Sequence, residues 1–403
     1  MKRNVLPYHI EPQEQSAWCW AAVAASTVRY YDPGNKALAM QCKVADLCLD
    51  RNVLPRHVDT CCGAPWDANL LCELKKALDR VGTNDGQVKS PMAFDDVVAA
   101  IDRGQPVAIA VTWKASSATH FAVIRGYCAT DNRKFFAIAD PWDFGTVNYH
   151  DADEFLSNYL GHPSTWDESY LTKAPLTKAP ATKASLTTAS LTKAPAGTHG
   201  LQRQTVPHDA FDELKNTLKE VARVEQAESQ PDGMNFLKNI NLDSLTPEQI
   251  DASEIYLMDP GNVDNGQSLS VTEPGGWQCV IPSGGQLTAK VLKRNGKPLL
   301  TAFGDGRFVH KAEQHIKHYA ATDKRIVTGK YECGLVSAPW AYVFGVWFKD
   351  VASTNDFVIA VEPTHQLLNS AREYDVTSFD GALKGALNIG RAMASSRRTE
   401  VVV

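Results

Sequence analysis

From Leu171 to Pro195 the chain repeats a five-residue unit: LTKAP, LTKAP, ATKAS, LTTAS, LTKAP. Proline in three of the copies resists helix formation, and Leu171 to Gly200 carries four lysines and no acidic residue. Such a stretch has nothing to bury, so it is expected to be an extended, solvated linker. Where it is polyproline-like it rises about 3.1 Å per residue, enough to hold two bodies apart by roughly several tens of ångströms. It divides the 403 residues into 1–170, a linker at 171–200, and 201–403. With 44% of residues hydrophobic, each side can supply a core of its own, and the two are expected to be separable. A repeat that is itself read or cut by a protease is the second reading of this stretch.

Composition narrows the function classes. Lysine and arginine number 41 against 46 acidic residues, a net charge of -5 with no basic stripe, so nucleic acid is not an expected partner. The first twenty residues hold charges and two prolines and lack an apolar core, so no secretory signal is expected. The longest apolar run, Pro339 to Phe348, is too short to cross a bilayer. The expected location is cytoplasmic, or outside the cell through a secretion system that needs no signal peptide. Of nine cysteines seven precede residue 129, and Cys42, Cys48, Cys61, Cys62, Cys72 and Cys128 form no paired C-x-x-C knuckles. No zinc site is therefore expected, and no cofactor. Most of these cysteines are expected to be reduced, with disulfides open to a protein that works outside the cell.

The first part reads as helices followed by strands. Gln13 to Tyr31, QEQSAWCWAAVAASTVRYY, leads into an alanine- and valine-rich buried helix. Cys42–Asp50, Asn69–Val81 and Phe94–Ile101 have helical spacing, and His57–Pro65 reads as a cysteine-rich turn. Val107–Trp113, His120–Tyr127 and Phe135–Asp140 then read as strands whose short spacers favour antiparallel pairing. The expected class is α+β, with a cleft between a helical layer and a small antiparallel sheet.

Chemistry gathers at that cleft. Cys19 stands between two tryptophans where its helix begins, and unpaired N–H groups and the dipole there favour a thiolate. A thiolate nucleophile needs an imidazole to move protons and a carboxylate or amide to hold that imidazole. His120 opens the second strand and Asp140 ends the third, so antiparallel neighbours bring them together. Gln13, six residues before Cys19, supplies an amide for a developing oxyanion, with Gln15 as the competing choice. Taken singly, Cys19 reads equally well as an inert buried cysteine, while His120 reads more readily as a strand-end histidine and Asp140 as a turn aspartate; it is the ordered set that points to catalysis.

The segments QEQSAWCWAA, QCKVADLCLD, DTCC, HFAVIRGY, IADPWD and TWDESYLTK, in this order, resemble the bacterial papain-like cysteine proteases. These are relatives of the plant-pathogen type III effector proteases, and the resemblance covers about residues 5–173. It implies a papain-like fold and hydrolysis of peptide bonds in a protein or peptide substrate. It further implies Cys19 as nucleophile, His120 as general base and acid, Asp140 as orienting residue and Gln13 as oxyanion donor. One departure concerns the histidine motif. Where such proteases tend to carry glycines, this chain has Ser116-Ser117-Ala118-Thr119.

After the repeat, Asp209 leads an amphipathic helix with Phe211, Leu214, Leu218, Val221 and Val224 on one side. Strands are expected at Ser268–Thr272, Trp277–Ile281 and Leu287–Leu292, the last joined through Arg294-Asn295-Gly296 to Leu299–Phe303 as a hairpin. Further strands are expected at Tyr342–Phe348 and Phe357–Val361, and a helix at Gly381–Met393. His310, His315 and His318 lie in HKAEQHIKH, a charged, solvent-facing helical pattern in which a metal site is not expected. This second, β-rich α+β part is expected to address the enzyme to a protein target or to regulate it. Acyl-transfer or amidase chemistry with the same triad, and a non-catalytic peptide-binding module, are the alternative functions.

Overall fold

The computed structural model describes residues 1–50, 54, 60–142, 147–175, 201–202, 204–227, 237, 240–282, 286–352, 355–362 and 364–400. Most of the repeat, 176–200, lies outside these, as do residues 57–59 of the expected cysteine-rich turn.

Strands in the first part are β1 (Lys2–Val5), β2 (Asn84–Val88), β3 (Val107–Trp113), β4 (Thr119–Ala129), β5 (Lys134–Ala139), β6 (Val147–Asp151), β7 (Asn158–Tyr159) and β8 (His162–Thr172). Its helices are α1 (Cys19–Tyr31), α2 (Gln41–Cys48), α3 (Leu74–Arg80), α4 (Phe94–Asp102) and α5 (Ala152–Phe155). β8 lies between β2 and β3, and β4 pairs with β3 and then β1 along one edge and with β5 along the other; β6 follows β5. All these pairings are antiparallel, as the short spacers require. The fold is α+β.

α1 is buried along its length from Cys19 to Val28. Alanines let it sit close against the sheet and against α2 and α3. α3 is shorter than the spacing predicts. Residues 68–70 are held out of the helix because their carbonyls and side chain are used elsewhere: Ala68 and Leu70 accept from the Trp18 and Trp20 indoles at 2.9 and 3.1 Å, and Asn69 Oδ1 accepts from the Ala17 N–H at 2.8 Å. A disulfide joins Cys42 of α2 to Cys62, while Cys48, Cys128 and Cys279 remain buried thiols.

In the second part the strands are β9 (Leu201–Gln202), β10 (Asp251–Leu257), β11 (Pro274–Pro282), β12 (Gln286–Arg294), β13 (Lys297–Gly304), β14 (Tyr331–Ala338), β15 (Val343–Asp350), β16 (Phe357–Ala360) and β17 (Glu373–Asp375). Its helices are α6 (His208–Ala227), α7 (Pro260–Asp264), α8 (Ser268–Val271), α9 (Arg307–Thr322), α10 (Lys324–Thr328) and α11 (Val376–Glu400). The expected hairpin joins β12 to β13, with both Asn295 and Gly296 at positive φ as a two-residue primed turn demands. Ser268–Thr272, expected as a strand, is instead the short helix α8 (Ser268–Val271), which packs against the helices α7 and α11 rather than joining the sheet. α9 carries His310, His315 and His318; among the described residues no group of three or more His, Cys, Asp or Glu could hold a metal ion. No described helix is long and apolar enough to cross a membrane.

The two parts share a sheet and share cores, contrary to the expectation that they separate. β6 pairs with β13, Ala302 opposite His150 and Gly304 opposite Asn148, so one sheet runs from the first part into the second. β5 explains why. Its Phe136 and Ile138 belong to the core that also holds α1, Phe136 packing on Phe94 of α4, whereas Phe135 and Ala137 belong to the core formed with α6 and Phe303. A strand apolar on both faces needs cover on both, and α6 supplies the second. Ion pairs fix this docking: Arg133 bonds Asp151, Glu213 of α6 and the Leu300 carbonyl, and Arg3 lies 3.5 Å from Glu225. The first copy of the repeat is part of the fold too. Thr172 ends β8, buried, its hydroxyl donating to the Pro106 carbonyl at 2.6 Å.

Candidate active site

Three of the four predicted residues meet at the junction of α1, β4 and β5. Cys19 is the first residue of α1 and fully buried. Its N–H, at a helix start, has no acceptor within the helix. His120, second residue of β4, is 1% exposed, and Asp140, immediately after β5, is 3% exposed. The antiparallel register that sets Val123 opposite Ala139 brings these two to the same end of the sheet. His120 Nε2 donates to Asp140 Oδ1 at 2.8 Å; its Nδ1 is buried with no hydrogen-bond partner among the described residues, and the Cys19 side chain acts electrostatically on the same ring.

The electrostatics follow from this arrangement. Burial alone would push the His120 imidazole down, but the Asp140 charge, the hydrogen bond to it, and Cys19 together raise it to about 10. Asp140 is also buried, which would raise it. The imidazolium beside it and the hydrogen bonds it accepts outweigh that and hold its carboxyl below the ordinary carboxylate range. The result at neutral pH is an imidazolium held by a carboxylate, with a thiol at hand to complete an ion pair.

Asp140 is held by more than His120. Its Oδ1 also accepts the Trp142 backbone N–H at 2.7 Å, and its Oδ2 accepts the Tyr159 hydroxyl at 2.5 Å. Tyr159 itself is stacked on Trp113 and packed against His150 and Phe155. Sequence reasoning missed Tyr159, because nothing within nineteen residues of Asp140 marks it as a partner.

The fourth residue, Gln13, sits on the turn that leads into α1. Its backbone N–H donates to the Pro141 carbonyl at 2.9 Å, which sets the turn beside Asp140. Its side-chain Nε2 donates to the Gln15 and Ser16 carbonyls at 3.0 and 2.8 Å, leaving Oε1 buried without a donor. Gln15 Oε1 is likewise buried without a partner. Two further side chains brace this turn. Gln41 of α2 accepts from the Glu14 N–H and donates to the Pro12 carbonyl, and Asn69 bonds Ser16 and Ala17. The signal for Gln41 was present, since QC opens one of the family-like segments, but its task is visible only in three dimensions.

Ser117, where similar proteases tend to carry glycine, lies at φ 56°. That left-handed conformation is the one glycine adopts without strain, which gives the departure a backbone meaning. The second part of the chain also reaches the site. Tyr342, at φ 53° after the Pro339–Ala341 turn, lies edge-on to His120 with ring centroids 5.8 Å apart.

No curated protein matches the chain. Residues 5–165, which contain Gln13, Cys19, His120 and Asp140, match the model of the Peptidase_C39 like family, and this supports assigning that segment to a cysteine peptidase family.

Proposed function

We propose that the chain is a papain-like cysteine peptidase that hydrolyses peptide bonds through Cys19, His120 and Asp140. The observation that carries this reading is the buried His120 ring, bonded to Asp140 on one side and acted on by Cys19. The Cys19 thiolate adds to the scissile carbonyl carbon, and the carbonyl oxygen takes up the negative charge. His120 gives its proton to the leaving amine as the C–N bond breaks. It then takes a proton from the water that releases the acyl group as a free acid. The Cys19 N–H and the Gln13 side-chain amide are the proposed oxyanion donors, Gln13 releasing one of its two carbonyl partners to reach it. The test is direct: incubate the purified full chain with a peptide library and identify cut products by mass spectrometry. An absence of cleavage together with an unlabelled Cys19 under iodoacetamide at mildly acidic pH would leave only a binding module.

A second reading uses the same groups with an amine as acceptor. Its support is the dryness of the site, since a fully buried Cys19 protects an acyl-enzyme from water. Adding an amine acceptor to the cleavage assay separates the two, by transfer product against free acid.

The pH profile tests how Asp140 is held. Since His120 keeps its proton to about 10, the alkaline limb of kcat/KM is expected there. Tyr159→Phe removes a hydrogen bond that helps hold the Asp140 carboxyl down, so Asp140 takes up a proton at higher pH and the acid limb of kcat/KM moves up. A hydrogen bond to a charged group is worth about 1.5–3 kcal/mol, so the acid limb is expected about one pH unit or more higher, while the alkaline limb does not fall. A purely structural role for Tyr159 would instead reduce the rate at every pH without moving the acid limb.

Gln13→Ala is expected to lower kcat by roughly 10²–10³ with little change in KM, as befits a lost oxyanion donor. If Gln15→Ala gives that pattern and Gln13→Ala does not, the assignment belongs to Gln15.

The second part of the chain is proposed to act as a lid, through Tyr342 over His120. Tyr342→Gly keeps the positive φ accessible and removes the ring. Alkylation of Cys19 by iodoacetamide is expected to accelerate roughly tenfold or more in this variant. Equal labelling rates in the two proteins would remove the lid role.

A further inference from the structure

α1 begins without the side chain that usually starts a helix. Its cap position is Trp18, no side chain caps it by a hydrogen bond, and its first turn holds no acidic residue. An aspartate or serine there would set an oxygen acceptor against the first N–H groups, where the proposed oxyanion has to sit. A helix start left uncapped for that reason must be fixed from elsewhere, and so must the turn of residues 12–17 before it. We propose that Gln41 and Asn69 are positioning residues for the oxyanion donors, Gln41 through Gln13 and Asn69 through the start of α1. The proposal rests on the peptidase reading above, with Gln13 as a donor.

Gln41 is 1% exposed, and both ends of its amide are committed to the turn. Its Oε1 accepts from the Glu14 N–H at 2.9 Å, and its Nε2 donates to the Pro12 carbonyl at 2.7 Å. These are the residues on either side of Gln13. The Gln13 N–H is itself held by the Pro141 carbonyl at 2.9 Å, so the backbone that carries the side-chain amide is fixed before, at and after it.

Asn69 holds the other end. Its Oδ1 accepts from the Ala17 N–H at 2.8 Å, and its Nδ2 donates to the Ser16 hydroxyl at 2.9 Å. The Ser16 carbonyl in turn accepts from Gln13 Nε2 at 2.8 Å. The two tryptophans that flank Cys19 keep Asn69 in place, since Trp18 and Trp20 donate to the carbonyls of Ala68 and Leu70, the residues on either side of it. The braces are also tied to each other. Gln41 precedes Cys42, whose disulfide to Cys62 joins α2 to the segment that leads to Asn69. Such a frame acts on the rate because misplacing a reacting or stabilising group by about 1 Å can cost about 10²-fold.

The test is a double-mutant cycle in the full-length chain, with a peptide substrate and with kcat and KM read separately. Gln41→Met keeps the volume and removes both hydrogen bonds; it is expected to lower kcat about tenfold, with KM within about twofold of the parent. Added to Gln13→Ala, it is expected to cost less than about twofold more, because its effect passes through Gln13. Cys19 is expected to react with iodoacetamide at the parent's rate, since the Cys19–His120–Asp140 unit is untouched. A merely structural brace would instead multiply its full loss onto that of Gln13→Ala, and this result overturns the proposal. An unchanged kcat in Gln41→Met beside an impaired Gln13→Ala overturns it as well, and leaves the peptidase reading standing. A parent chain that cleaves nothing, or an unimpaired Gln13→Ala, overturns the reading or its donor, and the role of Gln41 falls with it. Asn69 is only half-buried, and Asn69→Ala decides the matter if Gln41→Met fails to fold. There kcat is expected to fall about fivefold or more at unchanged KM, and an unchanged kcat overturns the proposal.

Discussion

Cys19→Ala is expected to reduce turnover by at least about 10⁴-fold while the protein melts cooperatively at nearly the same temperature. The members of a nucleophile–imidazole–carboxylate unit act together, so loss of the sulfur is close to loss of the whole unit. The fold should tolerate it because position 19 is a helix start packed among Trp18, Trp20 and Ala21, and alanine removes one atom from that cluster. The measurement is peptide hydrolysis alongside a thermal melt. Substantial hydrolysis by Cys19→Ala would place the nucleophile elsewhere. His120→Ala is expected to come close to the same loss, since without it neither the thiol nor the leaving amine has a proton partner.

The second large effect concerns the fold. Ending the chain at Pro175 is expected to yield a protein that aggregates or fails to melt cooperatively. The truncation exposes the edge of β6, which β13 covers, and uncovers Phe135, Tyr149 and Trp142 where Phe303, α6 and Phe308 now pack. Each large apolar side chain returned to water costs about 1.5–3 kcal/mol. A handful of them already rivals the roughly 5–15 kcal/mol that holds a typical domain together. The bare strand edge adds a template for self-association. Size-exclusion chromatography and circular dichroism read the outcome, and co-expression of residues 201–403 should restore solubility. A soluble, monomeric 1–175 that melts cooperatively would show that the shared core is not required.

Much of the site was legible because its parts are tied to short-range pattern. A cysteine at the head of an alanine-rich helix, and a histidine and an aspartate at opposite ends of two neighbouring strands, converge once helix and antiparallel sheet are granted. Register does the rest: Val123 opposite Ala139 leaves Asp140 and His120 little choice but to meet. Tyr159 and Tyr342 were not legible, because each reaches the site through a turn whose direction no local periodicity encodes. Gln13 lies between these cases. Its position beside the site follows from the chain, but the hydrogen bonds that occupy its amide depend on how residues 13–16 fold back on themselves.

The sequence by itself determined the α+β order of elements, the β12–β13 hairpin through Asn295 and Gly296, and the helix that carries Cys19. These rest on apolar period, turn chemistry and helix-start geometry, all set within a few residues. It also carries a sign of burial on both faces of β5. Phe135-Phe136-Ala137-Ile138 does not alternate, so that strand had to be covered on both faces. Only the tertiary structure decided what covers it. The repeat argues for two bodies apart, since so few of its residues are apolar, yet its first copy ends β8 and α6 and β13 close over β5 and β6 from beyond it. A linker's composition says how far apart two halves can be held. Whether they dock is decided by the apolar faces they present to each other, and those lie far from the linker in sequence.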